Sequence, residues 1–159
     1  MERQLSGYGV LVVLVMLVMA PLVQAGQLSF TSAWARATVP AAKTAAVYGV
    51  FTNNSDQVWV ITGLHTELAG MAMIHRSSLN NGMMKMSSIE ALTIAPGKSL
   101  VLAPSGLHIM LMGLKSSLTQ GGSFELEITA KNGVTTRAQI KVGSRSEERR
   151  VGKECRSRW

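Results

Sequence analysis

The chain has 159 residues, with sixteen Lys/Arg against nine Asp/Glu for a formal net charge of +7, and a single cysteine. That length suits one domain with its own core, while one cysteine excludes an intramolecular disulfide framework and a thiolate-cluster metal site. The basic residues between positions 26 and 144 are scattered singly and leave a net charge of only +4 there, nine Lys/Arg against five Asp/Glu, so the charge outlines no nucleic-acid-binding patch.

In chain order, residues 1–25 read as a secretory signal peptide: a dense apolar run, Val10 to Met19, is followed by the small-residue cleavage site Val23-Gln24-Ala25. A membrane span needs about 20 apolar residues, and Pro21 and Gln24 interrupt the run before that. No cysteine stands at the cleavage site to carry a lipid. The expectation is therefore export to the periplasm with no stable membrane span after cleavage. At the other end, residues 145–159 pack six Lys/Arg, three Glu and Cys155 into fifteen positions without apolar periodicity. The letters RSEERRVGKECRSRW match the translation of a common short-read sequencing adapter, so this tail is expected to be a non-native scar. With Cys155 set aside, the domain at residues 26–144 has no thiol at all.

That domain is a series of short β-rich runs broken by turn residues, with no sustained helical period, which predicts an all-β, antiparallel sandwich or barrel. Strands are predicted near Leu28 to Trp34, Ala45 to Asn53, Val58 to Leu64, Met71 to Ser78, Met83 to Ser88, Ala91 to Ile94, Ser99 to Leu102, His108 to Leu114, Ser123 to Thr129 and Val134 to Val142. Ala41 to Ala46 offers a helical turn as the alternative to an extended path. Asn81-Gly82 and Asn132-Gly133 each fit a two-residue type I′ hairpin, whose central residues need positive φ. Phe124, Leu126 and Ile128 alternate with Glu125, Glu127 and Thr129, giving one apolar and one wet face.

Three stripes of soft donors recur at the strand period. Met71, Met73 and His75 share one face of their predicted strand, as do His108, Met110 and Met112 of theirs. If Asn81-Gly82 is a two-residue loop, Asn80 opposes Met83, Ser77 opposes Met86 and His75 opposes Ser88. Met86 then lies on the face of His75 as its diagonal neighbour, about 7–8 Å away, and Met84 joins it while Lys85 points the other way. The turn Pro104-Ser105-Gly106 is expected to hold His108 near a strand end, open to solvent and to a partner. His65 lies outside this pattern and reads as a surface or structural histidine. A lone methionine at strand period is usually a core filler. Imidazole and thioether together, without thiolate or carboxylate, form a soft, nearly neutral donor set that favours Cu(I) over zinc, iron or calcium.

The spacing is His75, ten residues, Met86, twenty-one residues, His108, one residue, Met110. It resembles the H(M)X10MX21HXM motif of the periplasmic copper chaperones known as PCu(A)C. The segments Ala33-Trp34-Ala35-Arg36-Ala37, Gly82 to Met86, Ile94-Ala95-Pro96-Gly97 and, above all, His108 to Lys115 resemble the family's as well. The resemblance covers most of Ser29 to Val142. It implies a cupredoxin-like antiparallel β-sandwich that carries one Cu(I) per chain on His75, Met86, His108 and Met110. It also implies transient delivery of that ion during cytochrome c oxidase assembly, with the binuclear copper site of an oxidase subunit as recipient. Three departures stand out. Arg76 follows His75 where many relatives have methionine, with Met73 able to compensate. Pro104-Ser105-Gly106 replaces Pro-Gly-Gly, a small loosening of the turn. The tail hides any His- and Met-rich extension.

Met84 or Met112 is expected to support the ligands. Without cysteine, the blue-copper arrangement of two histidines and a thiolate is excluded. Periplasmic copper buffering without a dedicated recipient is the nearest competing function. A purely structural sandwich with core methionines is another. An enzyme is disfavoured, because there is no nucleophile elbow, no HExxH and no N-terminal histidine after cleavage.

Overall fold

The computed structural model describes residues 28–144, so the expected signal peptide and the expected non-native tail both lie outside the described residues. Ten strands follow in the expected order: β1 (Leu28–Arg36), β2 (Thr44–Asn53), β3 (Trp59–His65), β4 (Ala69–Asn80), β5 (Met83–Ile89), β6 (Leu92–Ile94), β7 (Ser99–Leu102), β8 (Leu107–Leu114), β9 (Ser123–Ala130) and β10 (Thr135–Gly143). They hydrogen-bond in the order β5-β4-β8-β2-β1-β10-β9-β3-β6, with β7 pairing the far half of β2. Every pairing is antiparallel except β1 with β10, which is parallel. The sheet folds over on itself around one apolar core that includes Phe51, Ile61, Ile109, Leu111, Leu126 and Ile140, each fully buried. This is the cupredoxin-like β architecture expected.

Core burial sets which way β8 faces. Fully burying an aliphatic side chain is worth roughly 1.5–3 kcal/mol, so Ile109 and Leu111 go inward and alternation turns His108, Met110 and Met112 outward. The same logic acts on β4, where Ile74 is buried while Met71, Met73 and His75 occupy the alternate face. The β2 strand pairs beside β1, with a register shift between Thr31 and Trp34 that brings Gly49 against Phe30. A Cβ on Gly49 would lie 2.7 Å from the Phe30 ring, which stacks on Phe51 at a centroid distance of 4.2 Å.

The two Asn-Gly hairpins turn out differently. Asn81 and Gly82 have φ of 48° and 79°, the positive pair a type I′ turn requires, and Asn80 opposes Met83 as expected. Between β9 and β10 only Gly133 is positive, at 83°. Ala130 closes the loop with both Gly133 and Val134, giving a three-residue connection with a bulge at the glycine. Core alternation explains the correction. The observed register pairs Phe124 with Ile140, Leu126 with Ala138 and Ile128 with Thr136. A two-residue loop would slip the pairing by one and set those apolar residues against Lys141, Gln139 and Arg137.

The helical alternative at Ala41 to Ala46 is not adopted. The Ala42 N–H donates to Val39 C=O at 3.2 Å, Ala41 takes φ of 63° and the chain enters β2 at Thr44, so Pro40 initiates a tight turn.

Candidate metal centre

The four residues singled out in the sequence come to one face of the sheet. His75 opposes Ser88 and Ser77 opposes Met86 across β4 and β5, the register expected from the Asn-Gly loop. On the other side of β4, His75 directly opposes His108 and Met73 opposes Met110. The two imidazole centroids lie 6.0 Å apart. A metal–imidazole bond is ~2.0 Å, and adding the radius of the ring gives about 3 Å from centroid to metal, so this separation suits two rings sharing one ion. Met86, His108 and Met110 line a single open cleft of about 370 Å³, together with Tyr48, Arg36 and Ser77. The β5 and β8 strands are two inter-strand spacings apart, roughly 10 Å. Ser77, lying between them, is small enough for the unbranched Met86 side chain to reach over it.

The histidines differ in how they are held. Gly106 C=O accepts from His108 Nδ1 at 3.1 Å and from the Ser77 N–H at 3.0 Å. A carbonyl only accepts, so Nδ1 of His108 carries the proton and Nε2 keeps its lone pair for the cleft. Histidine ligands commonly have this kind of outer hydrogen bond. His75 is the reverse case: its Nδ1 is buried with no hydrogen-bond partner, a costly state for a polar atom. Burial, and then the neighbouring His108, pull the His75 imidazole below its ordinary pKa of 6.5, so it stays neutral and available as a donor.

His108 is not solvent-open as expected. It is only 5% exposed, because its strand lies between β2 and β4, with the Tyr48 ring 6.4 Å away on one side and His75 on the other. The open side of the site belongs to Met86, half-exposed at 51%. The turn before His108 is closed by a backbone hydrogen bond. The Gly106 N–H closes onto Ala103 C=O at 3.1 Å, and Ser105 accepts φ of 66°, a conformation that favours glycine. His65 sits on the surface beside Glu67, at 3.3 Å.

Sequence reasoning missed the aromatic wall, in which Trp34 packs on Tyr48 at 4.8 Å and Tyr48 packs beside His108. The available signal was the period-two run of Thr44, Ala46 and Tyr48 on β2. Those residues join the site only through the long-range pairing of β2 with β8. Among the described residues, no group of three or more His, Cys, Asp or Glu side chains is arranged to hold a metal. Beside the two imidazoles, this face carries the thioethers of Met73, Met86 and Met110.

A family model described as "Putative lipoprotein LpqE-like" matches residues 28–142. The chain belongs to this family. This LpqE-like chain is 28% identical over 120 residues to "Putative lipoprotein Lxx21020" of Leifsonia xyli subsp. xyli (strain CTCB07), covering 75% of the chain and 71% of that protein. Among solved structures it is similar to CuI-DR1885 from Deinococcus radiodurans, with 33% identity, a TM-score of 0.59 and coverage of 75% of this chain and 81% of that one. It also shares its fold with the copper-bound PCuAC domain from PmoF2, at 17% identity and a TM-score of 0.63, covering 75% of this chain and 94% of that one. The LpqE-like chain is thus a PCuAC-family domain, as the motif resemblance implied.

Proposed function

We propose that this protein is a Cu(I) carrier of the cell envelope that binds one ion through His75 and His108 nitrogens and Met86 and Met110 sulfurs. The observation that carries the reading is the opposed histidine pair, with ring centroids 6.0 Å apart and one ring nitrogen buried without a partner. Such a nitrogen gains most from an ion. The donors are neutral and soft, a set that suits Cu(I) and discriminates against hard divalent cations. The Cu(I) form of DR1885 and the copper-bound PmoF2 domain support copper as the cargo.

Carriage and delivery fit the site better than catalysis or electron transfer. Nothing thiolate-like anchors the ion, and Met86 faces solvent, so a recipient with stronger ligands can displace it first and draw the ion out past it. The recipient we propose is the binuclear copper site of a cytochrome c oxidase subunit, met transiently in the periplasm after export. Transfer of Cu(I) to an apo recipient domain separates delivery from mere buffering, which predicts no transfer.

The site itself is tested by Cu(I) competition against a chromophoric chelator. Met86→Ala and His108→Ala are each expected to weaken binding by about 10-fold or more, the scale lost when part of a metal site is removed. Unchanged affinity in both variants would sink the assignment.

A further inference from the structure

A second cluster of thioethers lies on the same outer face, one step along the strands from the histidines. Met71 on β4 directly opposes Met112 on β8, and Met73 opposes Met110. Directly opposed Cβ atoms lie about 5 Å apart and diagonal ones about 7–8 Å, while residues two apart on a strand are about 7 Å apart. Met71, Met73 and Met112 therefore form a compact triangle, within reach of three unbranched side chains meeting above the sheet.

These methionines do not serve the core, since Ala72, Ile74, Ile109 and Leu111 take the inward positions beside them. Met71 is 54% exposed, and Met73 and Met112 are half-buried. Exposed thioethers contribute little to packing, yet the two strands present methionine at every outward position from 71 to 73 and from 110 to 112. The neighbouring strand places Thr44 opposite Met112 and Ala46 opposite Met110. From this juxtaposition we infer that Met71, Met73 and Met112 form a second, sulfur-only site for a soft monovalent cation, Cu(I) or its surrogate Ag(I).

The second site lies beside the first, because Met110 stands between Met112 and His108 on one strand and opposite Met73 on the next. An ion crossing between the sites exchanges one neutral donor for another. The metal stays monovalent, and no proton or electron moves. The triad would serve as the landing or leaving step for the more deeply held ion. It depends on the four-residue reading only in leaving Met110 to the first site.

The test uses the full chain with 13C-labelled methionine methyl groups, titrated with Ag(I) and followed by NMR and native mass spectrometry. Wild type is expected to take up about two Ag(I), with methyl shifts at Met71, Met73 and Met112 as well as at Met86 and Met110. Met71→Leu/Met73→Leu/Met112→Leu, which keeps the side-chain volume, should take up one and retain the shifts at Met86 and Met110. Met86→Leu/His108→Ala should also take up one, with shifts confined to the triad. If wild type takes up a single ion that moves only Met86 and Met110, the triad is overturned and the four-residue site stands. If the single ion moves only the triad and is indifferent to His108→Ala, the four-residue site falls and the triad stands.

Discussion

At the scale of single residues, one carbonyl organises much of the centre. Gly106 C=O accepts from both His108 Nδ1 and the Ser77 N–H, so one acceptor orients the imidazole and ties β4 beside it. Ser77 has a second role in leaving room for Met86. Ser77→Leu should weaken Cu(I) binding by about 10-fold with little change in melting temperature, as read by chelator competition beside a thermal scan. His75 predicts a pH dependence. Its pKa is lowered in the folded protein, by burial first and by His108 second, from 6.5 in the unfolded chain. Between the lowered value and 6.5 the unfolded chain binds a proton that the folded one does not, so stability is lost as pH falls through that window and is fully present above it. Denaturant midpoints of the apo protein at pH 7.5 and 5.5 should show the loss, and His75→Gln should reduce it. An equal loss in both proteins would remove His75 as the cause.

Elements acquire their geometry from turns whose chemistry is local. The turn after β2 is ordered by Asn53, which is fully buried. Its Nδ2 donates to Gln57 C=O at 2.7 Å and Ile94 C=O at 3.0 Å, and its Oδ1 accepts from the Ser55 N–H and hydroxyl. The Trp59 indole N–H donates in turn to the Ser55 hydroxyl. Asn53→Ala removes a buried amide's bonds to Ile94 C=O, Gln57 C=O and Ser55 and should cost about 1–3 kcal/mol, measured as a lower denaturant midpoint. Because this network is remote from the copper face, chelator competition should be unchanged under folded conditions. The Asn81-Gly82 hairpin was readable in full, type and register together, because a two-residue loop fixes the pairing on both sides of it. The Asn132-Gly133 loop was misread from its dipeptide, although Phe124, Leu126 and Ile128 set against Ala138 and Ile140 already contained the correct register. Where a turn preference and burial of a whole strand face disagree by one residue, burial wins, because it sums over several side chains.

For the whole molecule, the site spans four adjacent strands, β5, β4, β8 and β2, so an ion bound there couples to the fold. A ligand that binds only the folded state stabilises it by about 2.7 kcal/mol at 100 times its Kd, which for a domain of this size raises the melting temperature by about 10 °C or more. Cu(I) loading under anaerobic, reducing conditions should produce such a shift in wild type and a much smaller one in His108→Ala. Equal shifts in both would show that the ion binds elsewhere.

By itself the sequence determined the ten strands, the hairpin that sets Met86 diagonally from His75, the soft character of the donors and the family resemblance. The first three rest on alternation, turn chemistry and residue type, which act over a few neighbours, and the resemblance rests on the spacing of His75, Met86, His108 and Met110. Only the tertiary structure decided that His75 directly faces His108, that Tyr48 lines the site with Trp34 packed behind it, that His108 is enclosed while Met86 stays open, and that Met71 pairs with Met112 and Met73 with Met110. Those facts depend on β8 inserting between β4 and β2, which are far from it in the chain. That insertion is driven by the shared burial of Ile74, Ile109, Leu111 and Val47, and no local pattern encodes which strand will lie beside which.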